Sequence, residues 1–231
     1  MAFVLFDFHT HTFLSDGELS PIELLRRCHV AGYTAVAVTD HASPANVHTL
    51  VPALARDCRI AEEAWGIVAI PGVEITHVPP GEIDAVARSA AEAGAEIVGV
   101  HGETIAEPVA AGTNRAALES DYVHALVHPG LLSPELAQLA QRNGKWLELS
   151  ARRGHSLTNG HVAALARASG ARLLVNSDAH SPGDLLSEPL ARRVARGAGL
   201  NADETETVVA DNPLEFLRQI GRSVPEISPV P

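Results

Sequence analysis

The sequence predicts an α/β protein, a parallel barrel of seven strand-helix units related to the TIM barrel. Three observations carry this reading. Short β-branched apolar runs alternate with helix-like segments along the chain, serine-proline pairs and glycines punctuate those segments, and histidines and carboxylates gather where strands end. An open doubly wound sheet is the alternative way to arrange the same alternation.

The strand-like runs fall at residues 3–8, 34–39, 67–75, 95–100, 121–127, 145–149 and 171–175. The first leads into Asp7-Phe8-His9-Thr10-His11, and Ser20-Pro21 then opens a helix, with serine as N-cap and proline suited to the first turn. Gly32 stops that helix. The second run ends in Thr39-Asp40-His41, Ser43-Pro44 opens the next helix, and Gly66 stops it. The third carries Gly72-Val73-Glu74, and Gly94 closes the helix that follows. The fourth ends in Val100-His101-Gly102 and passes into a polar loop that reaches Gly112-Thr113-Asn114-Arg115. The fifth ends in Val127-His128-Pro129-Gly130, followed by a Ser133-Pro134 start and a Gly144 stop. The sixth exits through Ser150 to Gly160 towards a helix beginning near Thr158 and ending at Gly170. The seventh runs to Asn176-Ser177-Asp178-Ala179-His180, and Ser181-Pro182 signals one more start. Residues 1–220 are read as one barrel domain and 221–231, rich in proline and serine, as an extended tail.

Composition bounds the function. A chain of 231 residues that is 46% hydrophobic and 19% charged buries a full core as one domain. No apolar run approaches the roughly 20 residues that span a bilayer, and the start lacks the pattern of a signal peptide, so a cytoplasmic protein with no membrane partner is expected. Cys28 and Cys58 lie in helix-like stretches without Cys-x-x-Cys spacing, which indicates buried reduced thiols rather than a disulfide or thiolate zinc site. With 17 Lys and Arg against 28 Asp and Glu, the net charge of −11 opposes a long nucleic-acid partner. The sequence does not specify an oligomeric state.

Six of the seven strands deliver a potential metal ligand at their carboxyl ends, where parallel α/β barrels build their active sites. Alternation along the first strand puts Asp7, His9 and His11 on one face, so that two imidazoles approach one ion. Asp7, Asp40 and Thr76 are candidates for orienting the imidazoles, or equally strand-end or loop polar groups. His29, His48, His77, His124 and His161 fall elsewhere along the segments and are assigned structural or surface roles. Imidazoles mixed with carboxylates suit Zn, Mn or Fe, whereas all-oxygen sets suit Mg or Ca.

Taken in order, His9-x-His11, Ser15-Asp16-Gly17, Thr39-Asp40-His41, Gly72-Val73-Glu74, His101, His128-Pro129 and Asp178-Ala179-His180 resemble the motifs of the PHP (polymerase and histidinol phosphatase) superfamily, over roughly residues 3–182. The resemblance implies a distorted (β/α)7 barrel holding two or three divalent metals. It places His9, His11, Glu74 and Asp178 on one metal, with Glu74 bridging to a second bound by His101 and His128. Asp16, His41 and His180 would hold a third. Several members of the family carry histidine where this chain has Asp16, which makes the third metal the point of departure from the family pattern.

A metal cluster with a bridging carboxylate activates water and stabilises the oxygens of a displacement at phosphorus, so hydrolysis of a small phosphorylated substrate is expected. Glu74 and Asp178 are the candidate catalytic carboxylates, and His155 is either an acid for the leaving group or part of a solvated loop. Arg152 or Arg153 on the sixth strand's exit suits a phosphate, near free N–H groups of the next helix. Arg115 either meets substrate or pairs with Glu119 at i,i+4 spacing, the pair being preferred. The leading substrate class is a small phosphomonoester such as histidinol phosphate, a nucleotide or a sugar phosphate. The alternatives are phosphodiester cleavage of short oligonucleotides or cyclic nucleotides, and a metal-binding module without turnover.

Overall fold

A computed structural model describes residues 5–224. The first two positions of the first expected strand, and residues 225–231 of the expected tail, lie outside the described residues. The strands are β1 (Phe6–Asp7), β2 (Ala35–Val38), β3 (His41–Ala42), β4 (Val68–Ile75), β5 (Ile97–His101), β6 (Ala125–Val127), β7 (Trp146–Ser150) and β8 (Arg172–Asn176). All pairings are parallel, in the order β1-β2-β4-β5-β6-β7-β8. The two-residue β3 pairs with Glu74 and Ile75 of β4 just beyond β2, so it continues the stave that β2 begins, and seven staves result. The ends of β1 and β8 draw together: Asp178 N donates to His9 O at 2.9 Å and His11 N to Ala179 O at 2.8 Å, nearly closing the barrel.

The helices are α1 (Pro21–Val30), α2 (Val47–Trp65), α3 (Ile83–Glu92), α4 (Thr113–Glu119), α5 (Pro134–Arg142), α6 (Asn159–Ser169), α7 (Glu188–Gly197), α8 (Ala202–Glu206) and α9 (Asn212–Gln219), with short 3-10 turns between some of them and a π-helical stretch, Thr207–Asp211, joining α8 to α9. Ser20 and Ser133 cap α1 and α5 as expected, accepting from Glu23 N and Leu136 N. Two expected starts differ. Ser43-Pro44 forms a turn whose Asn46 precedes α2, and Ser181-Pro182 opens only a single 3-10 turn before Ser187 precedes α7. In both places the local serine-proline signal sets a turn instead of the helix start; Asn46 Oδ1 accepts from Ser43 N in the first, and Asp184 Oδ2 from Ser181 N in the second.

Strand alternation divides the core in two. Val36, Val38, Ala69, Val98, Leu126, Leu147 and Leu173 pack outward against the helices, while Phe6, Phe8, Ala35, Ala37, Ile70, Ile97, Trp146 and Leu174 fill the interior. Phe216 and Leu217 of α9 join the interior set: Phe216 meets Phe8 at 4.9 Å and Trp146 at 5.5 Å between ring centroids, and so plugs the end opposite the strands' carboxyl termini. With that end filled, polar groups within the barrel have one exit. Among the described residues, no helix is long and apolar enough to cross a membrane.

Candidate metal centre

The carboxyl ends of the strands deliver their polar residues to one mouth. His9 and His11 follow β1, His41 opens β3, Glu74 lies in β4, His101 ends β5, His128 follows β6, and Asp178 and His180 follow β8. Asp16 arrives on a turn pressed against β1's exit: a Cβ on Gly17 would sit 2.5 Å from His11 O, so only glycine permits that approach. Among the described residues, His77, His128 and Asp178 alone combine a side chain with positive φ, at 53°, 29° and 54°. All three line the mouth, a cavity of about 260 Å³, as do Asp16, His41, Glu74, His101, Glu107, Arg152, His155 and His180. Backbone conformations of this kind cost free energy and persist where surrounding structure enforces them, commonly at functional sites.

The side chains form three groups. In the first, His9 Nε2 lies 3.5 Å from Glu74 Oε2 and 3.8 Å from Asp178 Oδ1, and His11 Nε2 lies 3.6 Å and 3.4 Å from the same oxygens. In the second, His128 Nε2 lies 3.1 Å from Glu74 Oε1, and His101 and His155 complete a cluster. In the third, Asp16 Oδ1 lies 3.4 Å from His41 Nε2 and 3.2 Å from His180 Nε2. Ligands bonded at about 2.0–2.1 Å in a tetrahedron stand about 3.4 Å apart, so these spacings fit donor atoms arranged around ions.

Buried polar atoms support the same reading. Among the described residues, six buried side-chain atoms lack a hydrogen-bond partner: Asp7 Oδ2, and at the mouth His9 Nε2, both ring nitrogens of His11, Glu74 Oε1 and His128 Nδ1. Such atoms are costly in a dry interior unless something coordinates them. The far sides of the His9 and His41 rings are held firmly. Glu148 Oε1 accepts from His9 Nδ1 at 2.8 Å and from Asn176 Nδ2 at 2.8 Å, while its Oε2 accepts from His128 N at 3.0 Å. His41 Nδ1 meets Thr76 Oγ1 at 2.7 Å. A carboxylate behind an imidazole fixes its tautomer and aims the other nitrogen at an ion. The residues present therefore fit Zn, Mn or Fe.

The electrostatics are those of a crowded, dry site. Burial would push the Glu74, Glu148 and Asp178 carboxyls up, but the imidazoles around them, His9 foremost, outweigh it and hold all three below the usual range. His9 is raised well above the ordinary histidine value because Glu148, Asp178 and Glu74 overcome its desolvation. His41 is raised to about 10, its burial outweighed by Asp16 and Glu74. Burial lowers His11 to about 4, and burial with the nearby charge of His128 lowers His155 to about 4. Asp7 is pushed up to about 7 by burial.

The structure brings together His9, His11, Asp16, His41, Glu74, His101, His128, Asp178 and His180, with Arg152 and His155 beside them. Other expectations need correction. Asp7 does not share a face with His9: β1 ends at Asp7, Phe8 N donates to the side-chain Oδ1 of Asn176, and the adjacent Phe8 and His9 both line the interior. Asp7 instead accepts from the backbone N–H groups of His9 and Ser177. Asp40 braces the loop after β1, accepting from Thr12 N, Thr12 Oγ1 and Ser15 Oγ. Arg153 is exposed on a neighbouring groove with Asp184 and Leu190. Arg115, by contrast, forms on α4 the i,i+4 pair preferred for it, with Nη1 3.4 Å from Glu119 Oε1. His77, expected to be structural, lines the mouth. Sequence reasoning missed Glu148 and Glu107. A lone carboxylate between Leu147 and Leu149 in an apolar strand was a usable signal for the first.

No family model matches the chain. It is 44% identical to the uncharacterized protein MJ1295 of Methanocaldococcus jannaschii over 216 residues, 93% of this chain and 99% of that protein. It is 28% identical to the DNA polymerase/3'-5' exonuclease PolX of Bacillus subtilis over 198 residues, 76% of this chain but 34% of that protein. In fold it is similar to a chain in the structure of archaeal ribonuclease P with mature tRNA, with a TM-score of 0.64 at 15% identity over 92% of this chain and 89% of that one. Adenine deaminase from Arthrobacter aurescens also shares the fold, with a TM-score of 0.57 at 16% identity over 87% and 77% of the two chains.

Proposed function

This chain belongs to the family of the uncharacterized protein MJ1295 of Methanocaldococcus jannaschii, and we propose that it is a metal-dependent phosphoesterase of the PHP type acting on a small phosphomonoester. The observation that carries this reading is the buried set of imidazole and carboxylate atoms that lack hydrogen-bond partners and open onto a mouth lined by Arg152. Divalent ions held there would supply Lewis acidity, lowering the pKa of water and offsetting charge at a phosphoryl group.

The chain's own residues have distinct tasks. Glu74 turns Oε2 to His9 and His11 and Oε1 to His128, the arrangement of a carboxylate shared between two positions. Asp178 does likewise, with Oδ1 toward His9 and His11 and Oδ2 toward His128 and His155. Arg152 holds its guanidinium at the rim, bonded to Asp178 O at 3.2 Å and His180 Nδ1 at 2.7 Å, where it can meet a phosphate oxygen. His155 Nδ1 meets Thr104 Oγ1 at 2.8 Å, and Nε2 faces the mouth. Its lowered pKa leaves the ring neutral near pH 7, so it serves better as a lone-pair donor beside His101 and His128 than as the leaving-group acid. A mouth of about 260 Å³ lies just below the range of drug-sized pockets, which suits a small phosphorylated substrate.

A second reading is cleavage of phosphodiesters in short oligonucleotides. It is favoured by the similarity to a polymerase named for 3'-5' exonuclease activity, while the net charge of −11 weighs against long strands. The deciding experiment loads the protein with Mn or Zn and assays phosphomonoesters, cyclic nucleotides and short oligonucleotides beside His9→Ala. Phosphate release confined to monoesters and lost in the variant supports the proposal. Release from oligonucleotides alone moves it to the second reading, and no turnover by metal-loaded protein overturns both.

A further inference from the structure

The segment 102–112 between β5 and α4 lies over one side of the mouth and is tied down at both ends. Glu103 Oε1 accepts from Gly112 N at 3.0 Å and Asn114 N at 2.9 Å, Asn114 Oδ1 accepts from Glu103 N at 2.9 Å, and Gly102 N donates to Val127 O at 3.0 Å. From this loop Glu107 turns inward. Its Oε2 lies 3.1 Å from His101 Nε2 and 3.4 Å from His77 Nε2, and its Oε1 lies 3.5 Å from His155 Nε2. Its ion-pair partners among the described residues are all imidazoles, whereas an exposed glutamate with no role projects into water or meets Lys or Arg. His77, in turn, holds a left-handed backbone at φ 53° and brings its ring to 5.1 Å from that of His101. Side-chain convergence and a strained backbone are separate observations, and both point at the same spot.

We propose that Glu107 is a loop-borne carboxylate ligand of the metal held by Glu74, His101 and His128, steered by His77, and that a phosphate oxygen replaces it when substrate binds. The inference rests on the metal-centre reading above. Glu107 Oε2 stands 3.1 Å from His101 Nε2 and 3.4 Å from His77 Nε2, near the ligand-ligand edge of about 3.4 Å expected around a zinc-sized ion. Glu107 is 39% exposed, while Glu74, His101 and His128 are nearly fully buried, so it is the ligand that can leave without opening the core. Carboxylate and phosphate are both hard anionic oxygen donors, so they compete for one face of the ion.

The competition makes opposite predictions for two ligands. In the full chain, Mn is titrated calorimetrically into wild type, Glu107→Gln and His77→Ala, and inorganic phosphate is then titrated into each metal-loaded protein. In Glu107→Gln, one metal of the set should bind about tenfold or more weakly with the others unchanged. Phosphate should bind that variant several-fold more tightly. His77→Ala should move both affinities the same way by a smaller factor. Unchanged metal affinities in Glu107→Gln overturn the inference, as does phosphate binding that weakens in parallel with the metal. Wild type that takes up no metal overturns this inference and the metal centre together. The predicted pattern in a protein that hydrolyses no phosphate ester would uphold the ligand while removing the proposed activity.

Discussion

Glu148 ties three parts of the mouth with two oxygens, bonding His9, Asn176 and the backbone of His128. Glu148→Gln keeps the shape but removes the charge that holds the His9 tautomer, and should weaken metal affinity about 10- to 100-fold while the circular dichroism spectrum stays unchanged. Arg152→Ala should raise KM for a phosphate ester, whereas Arg153→Ala and Arg115→Ala should leave the kinetics alone, because only Arg152 lines the mouth. Asp7 offers a pH test. Its pKa rises from 3.8 unfolded to about 7 folded, so the folded state binds more protons between those values and stability falls as pH rises through that window. In metal-free protein, Asp7→Asn should therefore raise the denaturant midpoint at pH 8 and leave it nearly unchanged at pH 4; equal shifts at both values would rule out the carboxyl as the cause. Eight of the nine candidate ligands were legible because each stands at or just beyond a strand end within a short motif, and Asp16 because its Ser-Asp-Gly turn follows the first strand. Glu107 and His77 were not, because a loop residue's direction depends on anchors elsewhere, here Glu103 with Asn114 and the left-handed backbone at His77 itself.

At the scale of elements, loops after the strands press together without room for side chains. A Cβ on Gly130, at φ 67°, would lie 1.8 Å from Glu103 O, and one on Gly102 would lie 2.5 Å from Val127 O. Gly130→Ala must shift the loop that carries Glu107 or the turn that carries His128, at a cost of roughly 1–3 kcal/mol. Thermal unfolding should show the loss, and an unaltered midpoint would mean that these loops yield freely. Strand and helix order could be read from the sequence because alternation and glycine stops are local, and Gly66 and Gly170 take the left-handed conformation those stops require. The break in β1 after Asp7 could not be read. Regular alternation would have put His9 and Phe8 on opposite faces, and the side chain of Asn176, far along the chain, supplies the bond that turns the strand.

For the whole molecule, ligands from six of seven staves mean that metal binding ties the barrel together. Chelation should lower the melting temperature by several degrees or more, and Mn or Zn should restore it. Affinity should rise with pH between about 6 and 8, because the protons held on His9 and His41 in the metal-free protein must leave when ions bind. Metal titrations in buffers of different ionisation enthalpy would count them, and a pH-independent affinity with no proton release would contradict the arrangement. The sequence by itself determined the α/β barrel class, the strand order and the identity of the nine candidate ligands, since periodicity, caps and short motifs are properties of neighbouring residues. Only the tertiary structure decided which carboxylates stand behind the ligands, that Arg152 rather than Arg153 reaches the mouth, that α9 plugs the far end, and that Glu107 and His77 turn inward. Those facts depend on contacts between residues far apart in the chain, and on where a dry interior leaves polar atoms no partner but an ion.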